Sequence, residues 1–421
     1  MQAFCLAGMG FGDEAKGAAT DSLARQFPGE DVLIVRYNGG CQSAHNVVTP
    51  EGRHHTFSQF GAGMLASDKA RTHLSRFMLV EPFSMINESR ALNALTPFVW
   101  GRTTVDARAP IITPFCKYLN QLRERSRGKN RHGSCGRGIG VTRELQIRFN
   151  DDERVLRAGD LRDEKLTFEK LMIQLKAIFD EMQDLEQQVG EDPSSEREHR
   201  RAILEWVTRY GVWPAKIVDE MPKFTIAIFE GAQGVMLDET YGTAPHNTWT
   251  NTTFENADTL LDEAGVDKYS RYNIGCFRTY YTRHGHGPFP TEDPALDLPE
   301  EHNNDSGFQG VFRRGHFDFT LANSAYQVVG GLDGIALSHL DYLPRMGWDE
   351  NDFIASIKAN LGTPICMTGR GPTAAERVWN KKFEVSNGRP ASSSEGTQAG
   401  GGDPVLTPNI PADQREVERL P

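Results

Sequence analysis

Four short apolar runs, separated by amphipathic and polar stretches, set the pattern of this chain. The runs occupy positions 3–7, 32–37, 224–229 and 335–340, and glycine or charged residues follow several of them. Runs of this length and composition predict buried β-strands. A helix is predicted over 18–27, after the first strand and a glycine-rich turn.

The clearest helical pattern covers positions 167–189. Its apolar residues recur at helical spacing opposite charged positions and are predicted to face the core: Phe168, Leu171, Met172, Leu175, Ile178, Phe179, Met182 and Leu185. Strands that alternate with helices predict an α/β, P-loop-like fold with a mostly parallel central sheet flanked by helices. In such a sheet, ligands are expected beyond the carboxyl ends of the strands.

The last part of the chain differs in composition from the rest. From about residue 386 onward, a serine triplet and a glycine triplet lead into a proline-interrupted, charged end. We therefore expect one catalytic domain over residues 1–380 and a flexible, disordered tail over residues 386–421.

Composition argues against several classes of protein. With 421 residues, 38% of them hydrophobic, the chain can bury a sizeable core. No apolar run approaches the roughly 20 residues of a membrane helix and no secretory signal is recognisable, so we expect a cytoplasmic protein without membrane contact. A net charge of −11 argues against nucleic-acid binding. Six cysteines without a C-x-x-C pair favour reduced thiols over a zinc site or a disulfide framework.

The first candidate site is the loop at positions 8–17. Its glycines let backbone N–H groups turn toward an anion, the following helix N-terminus adds its positive dipole end, and Lys16 supplies a charge for phosphate oxygens. Asp13 and Glu14 would repel a phosphate unless a divalent cation lies between them or one carboxylate acts as a base. Although the loop departs from the usual P-loop pattern, it indicates phosphate chemistry, with a plain strand-to-helix turn as the alternative.

Further segments carry candidate chemistry. Positions 36–46 form a turn of small residues that includes His45, whose imidazole can bind a phosphoryl oxygen. Positions 133–140 hold four glycines, a hydroxyl group and an arginine, which suit a second phosphate. The Gln233 amide can bind a base carbonyl, and the two arginines within 310–315 suit a small dicarboxylate. Each segment alone also fits an ordinary turn.

Taken in order, these segments resemble the adenylosuccinate synthetase family. The matching stretches are GDEAKG (12–17), RYNGG with the downstream His45, GRGIG (136–140), FEGAQG (229–234), GPFPTE (287–292) and SHLD (338–341). The resemblance spans residues 2 to about 375 and implies a two-step ligase. A nucleoside triphosphate first phosphorylates O6 of a purine, and the amino group of L-aspartate then displaces the phosphate.

The resemblance also implies roles for individual residues. The catalytic residues would be Asp13, which takes the proton from purine N1, Lys16 and His45, which stabilise the transferring phosphoryl group, and Gln233, which holds O6. The substrate nucleotide would be bound by Asn38, Gln42, Ser134, Cys135, Arg148, Gln233 and Thr248. L-Aspartate would be bound by Val311, Arg313 and Arg314. The nucleoside triphosphate would be bound by Gly12, Glu14, Ala15, Lys16, Gly17, His45, Asn46, His339 and Asp341.

A metal ion and a second subunit are implied in the same way. Mg²⁺ would be bound by the Asp13 carboxylate and by the backbone carbonyl of Ala44. In the family, an arginine after the GRGIG turn crosses a homodimer interface to the substrate phosphate. Arg148 is our choice for that arginine, and Arg154 fits nearly as well because the spacing is longer here.

Departures from the cellular enzymes resemble the bacteriophage branch of the family, which uses dGMP instead of IMP. Val311 and Phe312 stand where arginines are expected, and the loss of a donor to the ribose 2′-hydroxyl favours a deoxyribose. Gln42 and Cys41 replace an asparagine and a histidine of the second loop. The expected product is N6-succino-2-amino-2′-deoxyadenylate, for 2-aminoadenine DNA. Asp13 is a departure in the other direction, because some phage members are expected to have serine there.

The phosphoryl donor and two other interpretations stay open. Asp341 is retained from the guanine-binding motif of the family and favours GTP, whereas the change of a lysine to His339 and the phage relatives favour ATP or dATP. The nearest alternative is an IMP-dependent, GTP-driven adenylosuccinate synthetase. Another is a noncatalytic nucleotide sensor, which the intact catalytic residues argue against.

Overall fold

The computed structural model describes residues 1–190, 197–198, 201–202, 204–206, 213–265, 270–300, 303 and 308–380. Its strands are β1 (Gln2–Gly8), β2 (Val32–Arg36), β3 (His45–Val48), β4 (His54–Phe57), β5 (Arg71–Leu74), β6 (Thr103–Asp106), β7 (Lys216–Val218), β8 (Ile226–Gly234), β9 (Ser270–Arg278), β10 (Tyr280–His284), β11 (Phe312–His316), β12 (Gly334–Ser338), β13 (Ile365–Gly369) and β14 (Arg377–Trp379). Its helices are α1 (Lys16–Ala24), α2 (Pro82–Asn93), α3 (Pro114–Arg127), α4 (Ile139–Arg148), α5 (Glu164–Val189), α6 (Glu255–Glu263), α7 (Phe319–Val328) and α8 (Glu350–Leu361).

One large sheet organises the described part of the chain. Its strand order is β14-β13-β12-β9-β1-β8-β2-β5-β6-β7. Every neighbouring pair is parallel except β13 and β14, which are antiparallel. Two antiparallel ribbons, β3-β4 and β10-β11, lie outside this sheet. The prediction of an α/β fold with a mostly parallel central sheet is confirmed.

Apolar side chains cover both faces of the sheet, as β1 illustrates. Ala3, Cys5 and Ala7 belong to one core with apolar residues of α6, α7 and α8, whereas Phe4 and Leu6 belong to a second core with residues of α1. Successive side chains of a strand point to opposite faces, so a continuous apolar run corresponds to a strand that is buried on both sides.

The predicted elements are present with shifted ends. The four predicted strands correspond to β1, β2, β8 and β12, and the first predicted helix is α1, which begins at Lys16 instead of 18. The long predicted helix begins earlier, at Glu164, because the Asp163 side chain accepts a hydrogen bond from the Leu166 N–H at 3.0 Å and caps it. All eight residues predicted to face the core along this helix are buried or packed against it.

Other expectations are confirmed or lie outside the described residues. All six cysteines are free, as predicted. None of the helices described here is long and apolar enough to cross a membrane. The predicted tail at 386–421 lies outside the described part of the chain.

Candidate active site

A cavity of about 2010 Å³ opens at the edge of the sheet where the parallel strands end. Its walls include residues that end or follow β1, β2, β8, β9, β12 and β13, together with residues of α3, α4 and the loop between them. Pockets for a single small ligand have volumes of about 300–1,000 Å³, so this cavity can hold several ligands together. The cavity lies at the strand edge where a parallel sheet is expected to bind ligands.

The loop between β1 and α1 has an unusual backbone. Gly12, Asp13 and Ala15 have positive φ angles of 104°, 63° and 57°. This conformation costs a non-glycine residue about 1–3 kcal/mol and is concentrated at functional sites. The loop therefore holds Asp13 and Ala15 in a conformation that the surrounding structure must stabilise.

Lys16 and Glu14 form an ion pair inside this loop. The Lys16 Nζ atom lies 2.7 Å from Glu14 Oε2, and the two side chains are 3% and 4% exposed. The other Glu14 oxygen accepts a hydrogen bond from the Gly12 N–H at 2.7 Å. Lys16 lines the cavity and Glu14 does not. Glu14 therefore balances the charge of a buried lysine and holds it at the cavity wall.

The Asp13 carboxylate lies on the cavity wall between side chains from distant parts of the chain. His284 Nε2 lies 3.1 Å from Asp13 Oδ2, and the Asn303 amide donates to the same oxygen at 3.4 Å. Burial raises the pKa of Asp13, but the hydrogen bond from His284 and nearby positive charges outweigh this effect and lower the pKa to about 2. Asp13 is therefore a carboxylate at neutral pH.

His45 begins β3 and pairs with Glu230 of β8. Its Nδ1 atom lies 2.5 Å from Glu230 Oε1, and the other Glu230 oxygen accepts a hydrogen bond from the Ala62 N–H at 2.9 Å. Burial lowers the pKa of His45, although the Glu230 carboxylate opposes this effect. Because the carboxylate needs a donor, Nδ1 carries the proton and Nε2 is the ring atom left for a ligand.

Arg36 lies behind this pair and is fully buried. Its guanidinium donates to Ser43 Oγ at 3.0 Å and to the carbonyl oxygens of Ser58 and Phe60 at 3.3 and 3.2 Å. Burial raises the pKa of Glu230, but the charge of Arg36 and the hydrogen bonds from His45 and the Ala62 N–H outweigh this effect and lower the pKa. Glu230 is thus ionised, and Arg36 compensates its charge inside the protein.

An irregularity in the pairing of β1 with β8 places Gln233. Leu6 pairs with Glu230 and Gly8 pairs with Gly234, so β8 has two more residues than β1 between these pairs. Gln233 takes a positive φ of 62° within this bulge, and it lines the cavity. A Cβ atom on Gly234 would lie 2.2 Å from the Gly10 carbonyl oxygen, so only glycine fits beside the first loop.

Asn38 connects its own loop to strand β8 and to the loop that holds Asn251. Its side-chain oxygen accepts from the Ala232 N–H at 2.7 Å, and its amide donates to the Asn251 carbonyl at 2.9 Å. The side chain is fully buried and does not line the cavity. The structure therefore places Asn38 where it supports the segment that carries Gln233.

Replacing Asn38 by alanine is expected to lower the free energy of unfolding by about 1–3 kcal/mol. The substitution leaves the buried Ala232 N–H and Asn251 carbonyl without their partner. Urea denaturation measures the effect, with Asn87→Ala on the exposed side of α2 as the control. Equal stability of the two variants would contradict the supporting role.

The loop between α3 and α4 carries Ser134 and Cys135. Asn120 of α3 donates to Ser134 Oγ at 2.8 Å and accepts from the Gly138 N–H at 3.1 Å. Ser134, Cys135 and Thr248 all line the cavity. The loop is therefore fixed at two points and presents a hydroxyl and a thiol to the same space as Thr248.

His339 and Asp341 follow β12 at another side of the cavity. His339 has a φ of 62°, and its Nδ1 atom lies 3.0 Å from Ser338 Oγ. Burial lowers the pKa of His339 well below its usual value, so the ring is neutral. Tyr342 lines the cavity beside them and stacks on Tyr280 with ring centroids 5.9 Å apart. This side offers aromatic surface and one exposed carboxylate to a planar base.

The cavity brings most of the predicted site residues together: Gly12, Asp13, Ala15, Lys16, Gly17, Gln42, Ala44, His45, Asn46, Ser134, Cys135, Arg148, Gln233, Thr248, His339 and Asp341. The predicted residues that do not line it are Glu14, Asn38, Val311, Arg313 and Arg314. Of the two candidates for the arginine that crosses a dimer interface, Arg148 lines the cavity and Arg154 does not.

The predicted aspartate-binding arginines have other partners. Arg313 donates to the Glu292 carboxylate at 2.8 Å and to the Gly287 carbonyl at 2.9 Å. The Arg314 guanidinium lies over the Phe312 ring, 5.3 Å from its centroid. The β10-β11 ribbon thus holds both guanidinium groups away from the cavity wall.

The residues predicted to bind Mg²⁺ have suitable chemistry. Asp13 supplies a carboxylate to the cavity wall, and Ala44 is exposed and lines the same cavity. Mg²⁺ prefers such oxygen ligands and completes its shell with water and phosphate oxygens. Asp13 and Ala44 therefore fit an ion that is bound mainly through a nucleotide.

Three residues of the site were missed in the sequence. Glu230 stands in the FEGAQG stretch, where an acid between an apolar strand and glycines was a usable signal. His284 precedes the GPFPTE stretch by two residues, but only the folded chain shows that it reaches Asp13. No sequence feature indicated that Asn303 belongs to the site.

Comparisons with known proteins agree with the geometry. The family model for adenylosuccinate synthetase matches residues 5–349. The adenylosuccinate synthetase of Clostridium botulinum (strain Alaska E43 / Type E3) is 32% identical over 357 residues, which cover 82% of this chain and 78% of the relative. The adenylosuccinate synthetase of Neisseria meningitidis serogroup A is 31% identical over 347 residues, which cover 80% of this chain and 76% of the relative.

Solved structures share the fold. The fully ligated adenylosuccinate synthetase of Plasmodium falciparum superposes with a TM-score of 0.69 at 19% identity and covers 90% of this chain and 100% of its own. The cyanophage S-2L succinoaminodeoxyadenylate synthetase, bound to dGMP and to dATP as an energy donor, superposes with a TM-score of 0.60 at 18% identity. That match covers 90% of this chain and 95% of the cyanophage protein.

Proposed function

The chain belongs to the adenylosuccinate synthetase family of carbon–nitrogen ligases, and from this premise we propose that it joins L-aspartate to C6 of dGMP. The products would be N6-succino-2-amino-2′-deoxyadenylate, a nucleoside diphosphate and phosphate. The proposal goes beyond the sequence relatives, which are named as adenylosuccinate synthetases.

The apolar residues Val311 and Phe312, which stand where the family has arginines, support dGMP most directly. Phe312 is 7% exposed, and its ring packs against His284 with centroids 5.0 Å apart. An apolar ring offers no hydrogen bond to a ribose 2′-hydroxyl, and a hydroxyl that is buried without a partner costs about 1–3 kcal/mol. A deoxyribose avoids this cost. The structural neighbour from cyanophage S-2L was solved with dGMP.

The proposed chemistry begins at Asp13. Its carboxylate accepts the proton from purine N1, and the electron pair released into the ring makes O6 nucleophilic. O6 attacks the γ-phosphorus of the donor, and the nucleoside diphosphate leaves. The amino nitrogen of L-aspartate then bonds to C6, the C6–O6 bond breaks, and phosphate leaves with O6.

Neighbouring side chains stabilise the charge that moves in these steps. Lys16 at the start of α1 and Nε2 of His45 would bind phosphoryl oxygens, and Glu230 favours the charged imidazole as negative charge approaches. Gln233 would donate to O6. A bound Mg²⁺ would polarise the phosphoryl group, with Asp13 and the Ala44 carbonyl among its ligands.

Other residues of the chain would bind the remaining ligands of the proposed reaction. Ser134, Cys135 and Thr248 would bind the 5′-phosphate of dGMP. Arg313 would release the Glu292 carboxylate and bind a carboxylate of L-aspartate instead. A guanidinium group donates to either carboxylate in the same geometry. The donor would lie near Asp341, as ATP, dATP or GTP.

The proposed active form of the protein is a homodimer. Arg148 lies on the cavity rim and is 41% exposed, with its guanidinium bound to the Ala177 carbonyl and Glu144. We propose that it exchanges these contacts for the substrate phosphate in the neighbouring subunit. A fully active monomer would contradict this assignment.

Turnover of dGMP and IMP tests the proposal. Protein with Mg²⁺, L-aspartate and either ATP or GTP is given dGMP, GMP or IMP separately, and the succinyl product is measured by chromatography. We expect product from dGMP, and a kcat/KM for dGMP about 5–150 times that for GMP, because the two differ only in the 2′-hydroxyl. Product from IMP alone would contradict the proposal.

The second candidate function is an IMP-dependent, GTP-driven adenylosuccinate synthetase. The observation that favours it is the carboxylate of Asp341, which is exposed on the cavity wall and can accept hydrogen bonds from N1 and N2 of guanine. Product formed from IMP with GTP, and not from dGMP with any donor, would select this function.

A further inference from the structure

Asp13 is held by a histidine that no motif of the sequence assigns. Resting on the proposed function, we propose that His284 is a positioning residue, which fixes one oxygen of the Asp13 carboxylate so that the other meets purine N1. The contact joins His284 Nε2 and Asp13 Oδ2 at 3.1 Å. His284 would have this role whether the purine is dGMP or IMP.

The two Asp13 oxygens have different surroundings. Oδ2 accepts from His284 and, at 3.4 Å, from Asn303. Oδ1 accepts no hydrogen bond from the described residues. An aspartate side chain turns about two bonds, so contacts to one oxygen are needed to aim the other. Two donors to one oxygen, and a second oxygen to which no described residue donates, are the arrangement of an oriented base.

The strand that carries His284 also holds the backbone of the first loop. Thr282, two residues earlier on the same face of β10, donates to the Gly12 carbonyl at 3.2 Å. Arg278 at the end of β9 donates to the Asp13 carbonyl at 3.3 Å. These contacts fix the main chain of the loop, whereas the contact from His284 is made to the carboxylate itself.

The imidazole of His284 is itself held in place. His284 ends β10 and pairs in register with Phe312 of β11. The two rings pack with centroids 5.0 Å apart and an interplanar angle of 52°. The His284 side chain is 23% exposed, so the ring faces the cavity on one side and the ribbon on the other. Phe312, which stands where the family has an arginine, therefore also packs against His284 and restricts the position of its ring.

Other charged groups near Asp13 do not replace His284. Lys16 is paired with Glu14, Arg278 reaches the backbone carbonyl of Asp13, and the Glu300 carboxylate lies 3.7 Å from Arg278. Without His284, the carboxylate would lose its shorter contact and keep the longer one from Asn303. We expect the rotation of Asp13 to become less restricted and the fraction of productive complexes to fall.

Steady-state kinetics of His284→Ala and His284→Gln test the proposal. Loss of an outer group that orients a reacting residue typically costs 10–100-fold, so we expect kcat of His284→Ala to fall by about that factor. The KM values for L-aspartate and for the nucleoside triphosphate should stay within about threefold, because neither ligand depends on this contact. His284→Gln keeps an N–H donor of similar reach and should recover part of kcat.

His316→Ala is the matched control. His316 lies on the partner strand β11 and bonds to Asp293 at 2.8 Å, so it is a second histidine–aspartate pair on the same ribbon. It does not line the cavity, and its removal should leave kcat unchanged. An unchanged kcat in His284→Ala would overturn the proposal. So would an equal loss in both His284 variants accompanied by raised KM values for all substrates, since that pattern marks a purely structural role.

A spectroscopic measurement separates this proposal from the proposed function. In protein labelled with ¹⁵N in the histidine rings, the His284 signals are assigned by their loss in His284→Gln. We expect them to shift in Asp13→Ala, because the hydrogen bond to Oδ2 is removed, while the His316 signals stay in place. The measurement requires no turnover, so its outcome does not depend on whether dGMP is the substrate. Unshifted His284 signals would overturn the proposal.

Discussion

Replacing Asp13 by asparagine is expected to lower kcat by about three orders of magnitude. Asparagine has the same shape and can still accept a hydrogen bond from His284, but its amide cannot take the proton from purine N1. Proton transfer by a positioned group contributes about 10²–10⁴-fold, and the carboxylate charge also contributes to Mg²⁺ binding. The measurement is kcat for each substrate that the wild-type protein converts, at saturating L-aspartate and donor.

Asp293→Asn provides the comparison for this variant. Asp293 also bonds to a histidine, His316, but it is exposed and lies outside the cavity. We expect Asp293→Asn to keep wild-type kcat and both variants to keep a wild-type melting temperature. Normal turnover by Asp13→Asn would remove Asp13 from the mechanism.

Glu230→Ala is expected to lower the free energy of unfolding by about 3–5 kcal/mol and to abolish most of the activity. Glu230 is fully buried and bonds to His45 and to the Ala62 N–H, with Arg36 close behind. Its removal leaves a buried arginine without its compensating charge and two donors without acceptors. Urea denaturation followed by fluorescence measures stability, and kcat measures the effect on His45.

Glu230→Gln separates the charge from the hydrogen bonds. The amide keeps the volume and one acceptor for the Ala62 N–H or for His45, so we expect a smaller loss of stability than in Glu230→Ala. Its kcat should still fall about 10²-fold, because a neutral partner no longer favours the imidazolium form of His45. Glu350→Gln, which removes an exposed pair with Arg370, should change stability by less than about 1 kcal/mol. A Glu230→Ala protein as stable as Glu350→Gln would contradict the buried-pair account.

Local patterns in the sequence predicted some of the elements that build the cavity, namely β1, β2, β8, β12 and α1. The run at 3–7 predicted β1 because side chains on both faces of that strand are apolar, and the glycine-rich turn marked the loop with Asp13. Loops that follow parallel strands meet at one edge of the sheet, so short motifs far apart in the chain predicted one site. Most of the predicted residues do line one cavity.

Contacts between distant segments could not be predicted in this way. Asn38 stands in a motif loop and was assigned to the nucleotide, yet its side chain bonds to the backbone of β8 and of the loop that holds Asn251. His284 reaches Asp13 across 271 positions of sequence, and that contact depends on how the β10-β11 ribbon lies against the first loop. Arg313 was assigned from its type, while its partner Glu292 is brought beside β11 by an isolated bridge to Gly315. The orientation of these side chains depends on contacts between segments that are distant in the sequence, so a local sequence pattern does not predict it.

The position of β1 in the middle of the sheet has a consequence for synthesis of the protein. β1 is translated long before both of its partners, β8 and β9, with which it pairs beginning with Gln2 opposite Ile226 and Ser270. At about 5–20 residues per second, roughly 10–55 seconds pass before both partners have been translated. During that interval an apolar strand with two open edges is exposed to aggregation, so the nascent chain is expected to depend on chaperones until residue 278 has emerged.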